Sequence, residues 1–373
     1  MRSLSDTIAR LKAAKGKFPL TGAAAQPSRL SPLGDFGANP GALHGYCYVP
    51  QRLPADAPLV VVLHGCKQTA AGYDNGAGWS QLADRHGFAL LYPEQQRANN
   101  PNLCFNWFVP EDIKRDSGEA LSIAQMVRRM IEHHGLDRER VFVTGLSAGG
   151  AMTSVMLATY PELFAGGAII AGLPYGCAAS IPEAFDRMRG HGLPSERELE
   201  ARIRKASAHR GVWPTLSLWH GSADRTVAHS NMDAIVAQWR GLHGLKTVEP
   251  EKSAVGPHSR TIWRDDTGVA KIEAFSIAGM AHGTPLSGAD DIGTPGAFML
   301  DAGISSTRHI ARFWQLTEAG SELALSAHVE TTPETTPDRI GRESPTAPSR
   351  IRGSASSVGK IIEDALRAAG LMR

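Results

Sequence analysis

The stretch Val141-Phe142-Val143-Thr144-Gly145-Leu146-Ser147-Ala148-Gly149-Gly150-Ala151-Met152 changes character within a few residues. Val141 to Thr144 is a short β-branched and apolar run of strand length. From Met152 onward the apolar residues Met152, Val155 and Met156 recur at helical spacing. Between the two lies Gly145-Leu146-Ser147-Ala148-Gly149, a G-x-S-x-G pattern set directly between strand and helix. A serine at the tip of such a turn projects its hydroxyl above the sheet, and the flanking glycines let neighbouring backbone approach without Cβ clashes. The helix behind it offers unpaired N–H groups and a favourable dipole to a developing oxyanion.

Working outward, Leu59 to His64 (LVVVLH) is a continuous apolar run ending at Gly65, as expected of a central strand covered on both faces. Further strands are expected at Phe88–Tyr92, Gly167–Ala171, Thr215–Trp219 and Ile272–Ile277. Between Asp116 and His134 the spacing predicts a helix with Ile123, Val127 and Met130 on one face and Asp116 with Glu119 as a capping box. Strands alternating with helices imply an α/β fold with a mostly parallel sheet, because each parallel return needs a crossover. Residues 174–212, with the charged stretch SERELEARIRKASA, are expected to form a small helical cap insertion. The domain plan is therefore residues 1–40 as an N-terminal amphipathic helix and linker, 41–318 as the catalytic domain, and 319–373 as a tail. In the tail, ETTPETTPDRIGRESPTAPSRIRGSASS reads as a disordered linker, and Val358, Ile361, Ile362 and Leu366 share one face of a terminal helix.

A serine hydroxyl is a weak nucleophile without a base and a group that orients the base, here expected in the chain order Ser, Asp, His. Asp224, in WHGSADRTV, follows the strand Thr215–Trp219 and would stand at the sheet's carboxyl edge; its competing reading is a turn former. His282, in SIAGMAHGTPL, lies among Gly279, Gly283 and Pro285, which mark a loop after the strand Ile272–Ile277. His309, the rival base, falls inside the helical pattern Thr307–Trp314. His64 and His220, each ending a strand before a glycine, read as bystanders. The oxyanion needs two backbone donors, expected from Ala148 and from Cys66 in Leu63-His64-Gly65-Cys66. Trp79, Trp107, Phe108 and Tyr175 are candidates for an apolar acyl pocket, against the usual fate of a large aromatic as core.

With 373 residues, 42% of them hydrophobic, the chain can bury a large core. A formal net charge of +2 gives no global field to attract nucleic acid. No apolar run approaches the roughly 20 residues that span a bilayer, so no transmembrane segment is expected. The first eighteen residues lack the apolar core of a secretory signal. No metal-ligand spacing and no phosphate-cradling glycine loop is found, so neither metal nor cofactor is expected. Four cysteines, Cys47, Cys66, Cys104 and Cys177, leave three complete pairings open.

Eight ordered segments, VVLHGCKQTA, LADRHGFALLYPEQ, NPNLCFNWF, GEALSIAQMV, VFVTGLSAGGAM, AGLPYGCA, LWHGSADRTV and GMAHGTPL, make the chain resemble the polyhydroxybutyrate depolymerase-type esterases of the α/β-hydrolase superfamily. The likeness runs from about Gly45 to Phe313. It implies Ser147 as nucleophile, Asp224 as acid, His282 as base and a disulfide between Cys66 and Cys104. It also implies hydrolysis of short-chain 3-hydroxyalkanoate esters, polymeric or oligomeric, through an acyl-enzyme. Feruloyl or acetylxylan ester hydrolysis is the nearest alternative, since pocket shape and not the triad selects the ester. A non-catalytic protein binding a polymer granule or a partner is the alternative of another class. Secreted members of the family suggest the extracellular space, the missing signal the cytoplasm; compartment and oligomeric state stay open.

Overall fold

The computed structural model describes residues 28–317. The expected N-terminal helix, the Pro/Thr/Ser-rich linker and the terminal helix lie outside them. Strands β1 (Ser31–Pro32), β2 (His44–Tyr48), β3 (Leu59–Leu63), β4 (Ala89–Glu94), β5 (Val141–Leu146), β6 (Gly166–Ile170), β7 (Thr215–Gly221), β8 (Glu251–Val255), β9 (His258–Arg264) and β10 (Ala270–Ile277) form one sheet. Their order is β1-β2-β4-β3-β5-β6-β7-β10-β9-β8. The six strands from β4 to β10 pair in parallel, and β1, β2, β9 and β8 extend the two edges antiparallel. The short strands β11 (Thr284–Leu286) and β12 (Met299–Asp301) pair apart from this sheet.

Every residue of β3 and β5 is buried, which is what a strand needs when crossovers cover both faces. The side chains divide by parity. Leu59, Val61, Leu63, Val141 and Val143 pack with α3 (Gly118–His134), α4 (Ala148–Thr159) and α7 (Ser230–Arg240) on one face. Val60, Val62 and Phe142 pack with α1 (Ala70–Ala77), α2 (Trp79–His86) and α8 (Ser306–Phe313) on the other. This is the α/β-hydrolase fold. Its six parallel strands all point their carboxyl ends to one edge, and the chemistry gathers there.

Residues 174–212 carry two helices, α5 (Ile181–Met188) and α6 (Glu196–Ala206). Ser195 and Glu198 close a capping box at the start of α6. Leu199 and Ile203 of α6 are fully buried, so this helix is docked on the body of the molecule.

Three expectations need correction. The capping box at Asp116 and Glu119 does not form: Ser117 is the N-cap, Asp116 has φ 62°, and the Glu119 carboxylate turns inward to Gln95 and the Asn106 N–H. Asp112 takes over the capping, its Oδ1 accepting from Glu119 N and its carbonyl from Ala120 N. Trp79 is core and not pocket: it is buried edge-on to Phe88 and stacked on Trp314. The polar hairpin β8–β9 is absent from the strands expected of the sequence, because Glu251 to Ala254 is solvent-exposed and carries no apolar signal.

Candidate active site

Ser147 is the residue between β5 and α4, with φ 58° and ψ −116°. A non-glycine residue there costs on the order of 1–3 kcal/mol and persists only where the surroundings over-determine it. Here they do. Ser147 N–H donates to Ile170 O of the adjacent strand, and the Ser147 carbonyl accepts from Ala151 N in the first turn of α4. Gly149 has no room for a side chain, since an added Cβ would strike the carbonyl oxygens of Leu63 and His64 at the end of β3. The elbow is thereby clamped against the strand that leads to Cys66.

Asp224 and His282 approach from β7 and β10, two strands further along the same edge. Gly221 ends β7 so close to the loop after β10 that a Cβ there would lie 2.6 Å from Ala281 O. Ala223 N donates to Met280 O across the same gap. The result is a 2.7 Å hydrogen bond from His282 Nδ1 to Asp224 Oδ2. The other carboxylate oxygen accepts from Thr226 N at 2.8 Å and Val227 N at 2.9 Å. Both side chains are buried. Burial alone would push the Asp224 carboxyl up, but the hydrogen bonds from His220 and His282 outweigh it and hold the group below its ordinary value. A carboxylate held in this way fixes the imidazole with its proton on Nδ1 and Nε2 free.

Among the described residues no hydrogen bond joins the Ser147 hydroxyl to His282. The serine and the Asp224–His282 pair share the carboxyl edge of the sheet, carried by β5, β7 and β10 in one continuous run of strands. His309 is on the opposite layer, with its ring against Trp219 and Phe275, and is not at this edge.

Cys66 is disulfide-bonded to Cys104. Gly65 N donates to Gln68 Oε1 and Lys67 N to Asn102 O. The Cys66 N–H, between them, meets no protein acceptor among the described residues. Ala148 opens α4, where the first N–H groups have no intrahelical partner. Ala148, Trp107, Leu173, Cys177 and Val227 form one buried apolar cluster, with Cys66, Cys104 and Phe108 packed on it. This cluster puts both expected oxyanion donors and Trp107 in one place. Tyr175 is set aside from it: its backbone is held by Gln238, its hydroxyl faces Ile113 O, and it lines a 470 Å³ cavity under α5 and α6 with Glu183, Arg187, Arg202 and Lys205.

Two neighbours of these residues escape the sequence reading. His220, taken as a strand-ending bystander, has its Nε2 3.4 Å from Asp224 Oδ2. Glu119 is buried and linked through Gln95 Nε2 to Cys104 O, next to the disulfide. Among the described residues no group of three or more His, Cys, Asp or Glu is arranged to hold a metal.

Comparison with known proteins gives this edge a family. Over 290 residues the chain is 45% identical to poly(3-hydroxyalkanoate) depolymerase C of Paucimonas lemoignei, an alignment that covers 76% of this chain and 70% of that one. It is 33% identical to acetylxylan esterase A of Emericella nidulans over 71% of this chain and 88% of the relative. The acetyl xylan esterase structure from Aspergillus awamori superposes with a TM-score of 0.66 at 26% identity, over 77% of this chain and 99% of that one. The model of the esterase PHB depolymerase family matches residues 46–259, a span that takes in the elbow, the disulfide loop and the Asp224 turn. The chain therefore belongs to the esterase PHB depolymerase family and is a carboxylic ester hydrolase.

Proposed function

We propose that the protein hydrolyses short-chain 3-hydroxyalkanoate esters, as polymer or oligomer, through an acyl-enzyme on Ser147. The observation that carries the mechanism is the buried Asp224–His282 hydrogen bond at the sheet edge that also holds the strained Ser147 elbow. The substrate class rests on the higher identity to the hydroxyalkanoate depolymerase than to acetylxylan esterase A.

His282 Nε2 takes the Ser147 proton as the hydroxyl adds to the ester carbonyl. The distance between them closes on substrate binding, as catalytic hydrogen bonds of empty sites commonly do. The Cys66 and Ala148 amides receive the oxyanion, and loss of one such donor lowers turnover about 100-fold or more. The tetrahedral adduct collapses with His282 returning the proton to the leaving alkoxide. Water, deprotonated by the same imidazole, then releases the hydroxyacid and regenerates Ser147. Trp107 and Phe108, edge-to-face at 5.2 Å, offer an apolar wall for a short acyl chain.

A fluorophosphonate probe is expected to label the wild-type enzyme and not Ser147→Ala, with turnover of p-nitrophenyl butyrate down by about 10⁴-fold or more in that variant. Labelling that survives in Ser147→Ala would remove the serine from the mechanism. Faster turnover of methyl ferulate than of 3-hydroxybutyrate oligomers would reassign the substrate.

A further inference from the structure

His220 is the penultimate residue of β7, its side chain 1% exposed. Its Nε2 lies 2.9 Å from the Val227 carbonyl and 3.4 Å from Asp224 Oδ2. Both neighbours are acceptors, so the proton must sit on Nε2, where it is hydrogen-bonded to the Val227 carbonyl and faces Asp224 Oδ2. Val227 closes the ring from the other side, its own N–H donating to Asp224 Oδ1. The carboxylate thus has Oδ1 held by the Val227 loop that His220 pins, and Oδ2 hydrogen-bonded to His282 with His220 beside it. The other face of His220 meets His229, ring centroids 5.4 Å apart, the residue before α7. His229 is turned away, with Nε2 2.9 Å from Ser276 Oγ and Nδ1 4.0 Å from Asp233.

We propose that His220 is a positioning residue for the carboxylate that holds His282: its Nε2–H pins the Val227 carbonyl, and with it the Val227 N–H that holds Asp224 Oδ1, while it faces Oδ2 from 3.4 Å. The inference rests on the triad reading above. Two consequences follow from the geometry. With the donor gone, the Val227 carbonyl loses its tie to β7 and the Val227 N–H on Asp224 Oδ1 loses its fixed position. The carboxylate is then less firmly aimed at His282 Nδ1, while the flanking Thr226 N–H still holds it in place.

The test compares three substitutions by kcat and KM for p-nitrophenyl butyrate, on full-length protein checked by circular dichroism and thermal melting. His220→Gln can place an amide N–H near the Nε2 position. It is expected to stay within about threefold of wild type. His220→Asn is polar but too short to reach the Val227 carbonyl, and His220→Leu offers no donor. Both are expected to lose about tenfold or more in kcat with KM little changed. If Leu does not fold, the Gln and Asn pair decides. An Asn kcat that coincides with wild type, or Gln and Asn kinetics that coincide with each other, overturns the role of His220. The Ser147→Ala probe experiment, which does not involve His220, reports separately on the triad itself.

Discussion

Glu119 is a buried acid in the first turn of α3. It is 1% exposed, and its two oxygens accept from the Gln95 amide at 2.5 Å and the Asn106 N–H at 2.9 Å. Burial pushes the carboxyl up to about 8 against these two hydrogen bonds. A folded value above the unfolded one means the native state binds the extra proton. The stability this contributes is complete below about pH 4, and it declines as pH rises until it is lost near 8, by at most about 1.4 kcal/mol per pH unit. Glu119→Gln cannot ionise, so its melting temperature should fall less steeply than the wild type's between pH 5 and 8 in a differential scanning series. Equal slopes would mean that Glu119 is already ionised in the fold. The sequence reading took this group for a capping residue and His220 for a bystander. Ser147, Asp224 and His282 were picked out as candidates because each lies in its own local signal, a glycine elbow or a loop after a strand, and the structure joins Asp224 to His282. The roles of Glu119 and His220 are set by which acceptors the folded chain brings against them.

At the scale of elements, the segment between β3 and α3 holds the Cys66 loop, the proposed oxyanion site, in place. The Cys66–Cys104 disulfide closes a separation of 38 residues, for which loop-closure entropy gives about 4 kcal/mol. Gln95 adds a second tie, donating its side-chain amide to Cys104 O while its backbone N–H meets His64 Nε2. Cys66→Ser with Cys104→Ser should lower stability by about 2–4 kcal/mol in urea titrations. It should also lower kcat about tenfold with KM little changed, since the Cys66 amide contributes mainly once negative charge develops. Unchanged kcat would show that the polar ties alone hold the loop. The central strands were legible as apolar runs because both of their faces are covered. Strand β8 was not, because an edge exposed to water has no burial to record in its residues, and in β9 only His258, Ile262 and Trp263 are buried, too few for an apolar run.

For the whole molecule, the sheet order explains why so few residues decide the chemistry. Nucleophile, acid and base of the proposed triad follow β5, β7 and β10, which run from Val141 to Ile277 in the sequence yet lie within one run of parallel strands. That convergence was expected from the strand–helix alternation. The strand order itself came only with the structure, because many permutations of parallel strands satisfy the same apolar pattern. Both core layers, the disulfide and every residue of the proposed site fall within residues 28–317. A chain cut to those residues is therefore expected to melt in one cooperative transition. It should hydrolyse p-nitrophenyl butyrate within about twofold of the full chain, since buried packing and not flanking sequence sets both properties. Parallel assays on suspended poly(3-hydroxybutyrate) granules would then isolate what the removed segments add to attack on a solid. A loss of more than tenfold on the soluble ester, or a broad uncooperative melt, would place part of the catalytic unit in residues 1–27 or 318–373.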